Sequence, residues 1–171
     1  MRKLPLIAPL ALALAAAGIA HAGPVSQPVS SAPGVTVTIG GDLIKDMEKL
    51  GERDVREQAD DLAQTVSRAL ADSGALAGAQ VNLVLTDLQP NRPTFEQAAA
   101  RPGLSIFDSF SVGGATIEGE VVTADGQRLP VRYSRYSNDI RLARNYSTWQ
   151  DADRAFERAA ANIAAGRLVS R

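Results

Sequence analysis

The chain has 171 residues, with 18 Lys and Arg against 19 Asp and Glu, one histidine and no cysteine. The absence of cysteine rules out disulfides, a thiol nucleophile and a lipid-attachment cysteine. A formal charge of −1 gives the chain no overall attraction to nucleic acid.

Residues 1–22 have the build of a secretory signal. Arg2 and Lys3 supply the charged start, Leu4 to Ala20 is apolar, and Ala20-His21-Ala22 puts small residues at both cleavage-recognition positions. A membrane anchor is the alternative. Against it stand the short length, Pro5 and Pro9, and the lack of a cationic flank after the apolar run. Cleavage near Ala22 predicts a periplasmic or secreted product without a membrane span. Loss of Arg2 and Lys3 takes the charge from −1 to −3, and His21, the one histidine, leaves with the leader. A chain with neither His nor Cys lacks Ser-His-Asp and Cys-His catalysis, and His/Cys sites for zinc, copper or haem. No cofactor or metal is expected. The remaining ~150 residues suffice for one domain held by its core.

Residues 23–34, GPVSQPVSSAPG, are expected to be a flexible linker. A single domain then fills 35–171. Val35 to Ile39 alternates apolar residues with Thr and predicts a strand, which Gly40-Gly41 ends. Asp42 to Leu50 fits either a short helix or a structured connection. Val55, Ala59, Leu62, Val66, Ala69 and Leu70 recur at helical spacing. Asp54 is the expected cap, Glu57 follows three residues on, and Ser73-Gly74 is the stop. Asp60 and Asp61 are adjacent on that helix and point about 100° apart, so they form a solvated face and not a carboxylate pair.

Gln80 to Thr86 predicts a largely covered strand ending at Asp87. Thr94 should cap a short helix over Phe95 to Ala100, with Gln97 reaching back. Gln89 to Gly114 is a long connection whose Leu104, Ile106, Phe107, Phe110 and Val112 argue against free disorder. It either covers a sheet edge or serves as a recognition loop.

Ala115 to Tyr136 predicts a β-hairpin around Asp125-Gly126. A three-residue loop, Ala124 to Gly126, pairs Val121 with Leu129, Gly119 with Val131 and Ile117 with Tyr133. It also sets Glu118 opposite Arg132, a favourable cross-strand charge pair, with Gly126 left-handed in a bulge. A one-residue slip would exchange the two faces. Beyond the turn, Arg128, Arg132, Arg135, Arg141 and Arg144 face a single acid, Asp139, with three tyrosines interleaved. That pattern suits a polyanion. The candidate binding surface is Arg92, Arg128, Arg135, Tyr136, Arg141 and Arg144. A closing helix is expected from Trp149 to Ala165, capped by Ser147 or Thr148 with Gln150 or Asp151 reciprocal. Trp149 should anchor it in the core, Gly166 should stop it, and the tail should fray.

Leu83-Val84-Leu85-Thr86-Asp87, the run from Gly113-Gly114-Ala115 to Asp125-Gly126, and Trp149-Gln150-Asp151-Ala152 to Phe156 are together similar to uncharacterised secreted or lipoprotein domains of Gram-negative bacteria. The resemblance spans 34–166 loosely. It implies an envelope location and no assigned activity. The missing lipid-modified cysteine is a departure from many such domains.

The expected fold is an α+β two-layer sandwich. About four mainly antiparallel strands carry the Val55–Leu70 and Trp149–Ile163 helices on one face, with the Val35 and Val81 strands parallel. The expected role is a non-enzymatic binding or assembly module of the envelope, its partner an envelope protein or polyanion. One alternative is a hydrolase using Glu118 and Glu120, which share a strand face about 7 Å apart. A Ser-Lys variant lacks any Ser-x-x-Lys before Lys45 or Lys49. The other alternative is a purely structural or oligomerising domain.

Overall fold

The computed structural model describes residues 28–74 and 76–170. The leader and residues 23–27 of the linker lie outside the described residues. The elements run β1 (Ser30–Ala32), β2 (Val35–Ile39), α1 (Leu43–Leu50), α2 (Glu52–Ser73), β3 (Gln80–Gln89), α3 (Phe95–Ala100), β4 (Gly114–Val122) and β5 (Arg128–Tyr136). A 3₁₀ helix (Ile140–Asn145), α4 (Gln150–Ala164) and β6 (Val169–Ser170) complete the chain.

The protein is α+β. Its strands form one mixed sheet in sequence order, β1 to β6. The pairs β1–β2, β3–β4 and β4–β5 are antiparallel, and β2–β3 and β5–β6 are parallel. The count therefore exceeds the expected four. Ser30–Ala32 lies within the stretch expected to be linker, and Val169–Ser170 within the tail expected to fray. Both are too short to show an alternating pattern, and each gains its hydrogen bonds from a neighbour already in place.

The hairpin register is the predicted one. Val121 pairs Leu129, Gly119 pairs Val131, Ile117 pairs Tyr133 and Glu118 pairs Arg132. Gly126 closes the loop at φ +83°, and its N–H donates to the Thr123 carbonyl. That left-handed value is costly for any residue with a Cβ.

One interior collects the apolar stripes. Leu62 and Val66 of α2, Phe156 and Ile163 of α4, and Val37, Leu83, Ile117 and Val121 of the sheet are all buried in it, with Leu129, Tyr133 and Trp149 packed at its margin. α2 lies over β1 and β2, α4 over β4 and β5, and the two helices pack on each other. The sheet's other face carries Thr36, Asn82, Thr116, Glu118, Glu120 and Ser134.

Two helix starts, those of α2 and α4, differ from expectation. Asp42–Leu50 resolves as helix α1, after which Gly51 at φ +96° breaks the chain and α2 begins at Glu52. Asp54 therefore sits inside the first turn of α2, where its charge suits the helix dipole, and does not cap it. α3 has the expected capping box between Thr94 and Gln97. α4 has Trp149 at its cap position and takes no hydrogen bond from Ser147 or Thr148. Its cap comes from elsewhere in the chain.

Strand β3 does not stop at Asp87. The pairing with β4 skips Thr86, so that Leu85 faces Ile117 and Asp87 faces Thr116. This bulge puts Asp87 on the polar face and returns Leu88 to the core, where it is buried.

Candidate functional site

Residues 89–114 leave the end of β3, form α3, fold back and enter β4. None of their apolar side chains is among the buried core residues; those buried are the polar Asn91 and Thr94. Hydrogen bonds hold the segment in place. Asn91, fully buried, donates from Nδ2 to Asp151 Oδ2 at 2.6 Å and to the Ser111 carbonyl at 3.2 Å. Its Oδ1 accepts from the Asp151 N–H at 2.8 Å. Asn91 thus caps α4 across 60 residues of sequence. It satisfies a first-turn N–H that no local side chain reaches. Backbone bonds from Asn91 N–H to the Thr148 carbonyl and from Ser111 N–H to the Asn91 carbonyl extend the knot. Gly113 completes it, for a Cβ there would lie 2.8 Å from both Asn91 Oδ1 and the Gln89 carbonyl.

Arg92 is the second clamp. Its guanidinium donates to the backbone carbonyls of Tyr146, Phe107 and Arg144. Those bonds tie the outer turn of the segment to the 3₁₀ helix. The outer turn is itself closed by Ser105, whose hydroxyl accepts from the N–H groups of Phe107 and Asp108.

Between these attachments lies a half-open cleft of about 630 Å³. Pro90, Pro93, Ala100, Leu104, Phe110 and Val112 supply its apolar wall. Lys49 from the last turn of α1, Arg92 and Arg101 supply positive charge, and no Asp or Glu lines it. The volume is that of an ordinary small-molecule site. Of its two serines, Ser111 Oγ donates to the Pro90 carbonyl and Ser109 Oγ accepts from the Ser105 N–H.

The six residues of the candidate surface do not converge. Arg128 stands at the hairpin tip, ion-paired with Glu120, and Tyr136 is about 26 Å away along β5 at the usual strand rise. Alternation places Arg128 and Tyr136 on the polar face and Arg135 on the helix-bearing face. Tyr136 Oη donates to Asp87 and lies 2.8 Å from Thr116 Oγ1. Burial, and then the Asp87 hydrogen bond, raise its pKa well beyond the ordinary tyrosine range. Arg141 grips Asp139 at 2.8 Å. Arg144 is exposed and its carbonyl receives Arg92. Arg92 alone of the six lines the cleft. Among the described residues, Arg135 and Arg144 have no carboxylate within ion-pair distance, so part of the basic run stays uncompensated.

Glu118 and Glu120 lie on the polar face, each paired across to β5: Glu118 with Arg132 at 3.3 Å and Glu120 with Arg128. Glu118 lines a depression of about 330 Å³ whose lining does not include Glu120. Their geometry is that of two cross-strand ion pairs.

In the first turn of α4, burial together with the nearby Asp61 and Glu157 pushes the Asp153 carboxyl up to about 6. Burial and neighbouring acids also raise Asp61 and Asp54.

No protein-family model matches this chain, and comparison with curated proteins returns no match. No described helix is long and apolar enough to cross a membrane.

Proposed function

We propose that this protein is a non-catalytic binding module of the bacterial cell envelope, and that the cleft beneath residues 89–114 is its binding element. The observation that carries this reading is where the segment's apolar side chains go. Leu104, Phe110 and Val112 form the wall of an open cavity instead of filling the interior. A connection that long, fastened by buried polar clamps yet keeping an apolar hollow, is built to hold something. The leader-like residues 1–22 support the export half of the proposal.

A photo-crosslinking side chain at Leu104, in cells making the full chain, tests the binding half. A discrete adduct that is lost when Val112→Trp fills the cleft is expected. A crosslinker at Leu104 that reacts only with solvent, in both backgrounds, would refute it. N-terminal sequencing of the purified product tests export: a start at Gly23 is expected, and a start at Met1 refutes it.

A further inference from the structure

We infer that the cleft takes a monomeric amphiphile with an anionic head, a carboxylate or phosphate monoester on an aliphatic chain. The inference rests on the binding-module reading above and adds the ligand's chemistry to it. The wall has two parts. Leu104, Phe110 and Val112, with the two prolines, make an apolar strip that an alkyl chain can cover. Arg92, Arg101 and Lys49 put three cations around the same hollow, with no carboxylate among the lining residues.

The three cations differ in how far they are already satisfied. Lys49 meets Asp46 on the exposed surface of α1 at 2.8 Å. Arg92 gives three of its five N–H donors to backbone carbonyls, which leaves its charge uncompensated. Arg101 makes no side-chain hydrogen bond or ion pair among the described residues. Next to a low-dielectric wall these charges favour an anion more strongly than they would in open water. A neutral apolar ligand would leave them unmatched, and a cationic one would be repelled. A bulky polyanion would engage the cations but leave the apolar strip bare.

The test uses the full chain with decanoate, decyl phosphate and decanol, all below their aggregation limits. Calorimetry and backbone amide shifts at Ala100, Phe110 and Val112 are the readouts. Arg92 is left intact because it also fastens the segment. Arg101→Gln, whose side chain holds nothing in place, is combined with Lys49→Gln. Both anions are expected to bind with shifts confined to the cleft, and decanol to bind at least about tenfold more weakly. The double variant should weaken decanoate about tenfold and leave decanol unchanged, and added salt should weaken the anions alone. Which of the two anions binds more tightly separates a carboxylate from a phosphate source. Equal binding of decanol and decanoate, with no effect of the variant, overturns the anionic head while leaving a binding cleft. Absence of binding by all three overturns the inference. If the Leu104 crosslink also fails, the binding-module reading falls with it. Binding to anionic vesicles without any binding of free decanoate likewise overturns it, in favour of a membrane-surface contact.

Discussion

Asn91→Ala is the substitution whose cost follows most directly from the structure. The side chain is fully buried and makes three hydrogen bonds, one to a carboxylate and two involving backbone groups. A neutral hydrogen bond contributes about 1 kcal/mol net and one to a charged group about 1.5–3 kcal/mol. Deletion also strands the Asp151 carboxylate, which is largely buried, with a weak Gly113 N–H contact at 3.4 Å and Arg154 at 3.5 Å. The expected loss is about 3–5 kcal/mol, a large share of the stability of a domain this size. Urea unfolding with an unchanged m-value measures it. A double-mutant cycle with Asp151→Ala should show a coupling of at least about 1 kcal/mol, because each residue's penalty depends on the other. A loss below about 1 kcal/mol, or simple additivity of the two variants, would refute the trans-cap and with it the account of how the cleft is fastened.

Further expectations concern other positions. Gln58 is buried on α2 and its Oε1 has no hydrogen-bond partner; Gln58→Leu should raise stability by about 1 kcal/mol, read as a higher urea midpoint. Asp153 has a folded pKa of about 6, above its ordinary value of 3.8. Its ionisation therefore opposes folding, and stability is lost as the pH rises from about 4 through 6. Asp153→Asn should remove that loss, so thermal unfolding of the variant and the parent should diverge between pH 4 and 7, with the variant the more stable at neutral pH. Gly113→Ala places a methyl 2.8 Å from Asn91 Oδ1 and a backbone carbonyl; it should loosen residues 104–113 in amide exchange while leaving β2–β3 protection unchanged.

The scaffold was legible because its signals are local. The hairpin register follows from a two-residue alternation and one charge pair, Glu118 with Arg132, both contained in a stretch of 22 residues. The Thr94 capping box needs only its third neighbour. The α4 cap was not legible because its donor and acceptor lie 60 residues apart, and Ser147 and Thr148 offered a plausible local substitute. The only hint was Asn91 itself, a polar residue set between Pro90 and Pro93, where the backbone is stiff enough to hold a side chain in one place. The bulge at Thr86 is hidden in the sequence for a related reason. Leu85 and Leu88 are both apolar but three apart, which breaks a two-residue period and suggests a strand end, whereas an extra residue restores the period. The basic run from Arg128 to Arg144 is spread over more than one face, which composition does not show, and Glu118 and Glu120 pair with two of its arginines from the neighbouring strand.

These observations divide the protein into two parts held by different forces. The sheet and the two long helices are held by apolar burial, which is non-directional and tolerates small shifts. Residues 89–114 contribute no buried apolar side chain and are held by Asn91, Arg92, Ser111 and Gly113 through directional bonds. A segment fastened in this way can detach without exposing the core, so its opening free energy should lie well below that of global unfolding. Anything that bridges Leu104 and Phe110 on the segment to Lys49 on α1 would oppose that opening. Ligand binding should therefore slow amide exchange in 104–113 far more than in β3 or α2. Equal slowing everywhere would mean that the segment opens only with the whole domain, and that the cleft is a fixed part of the core's architecture.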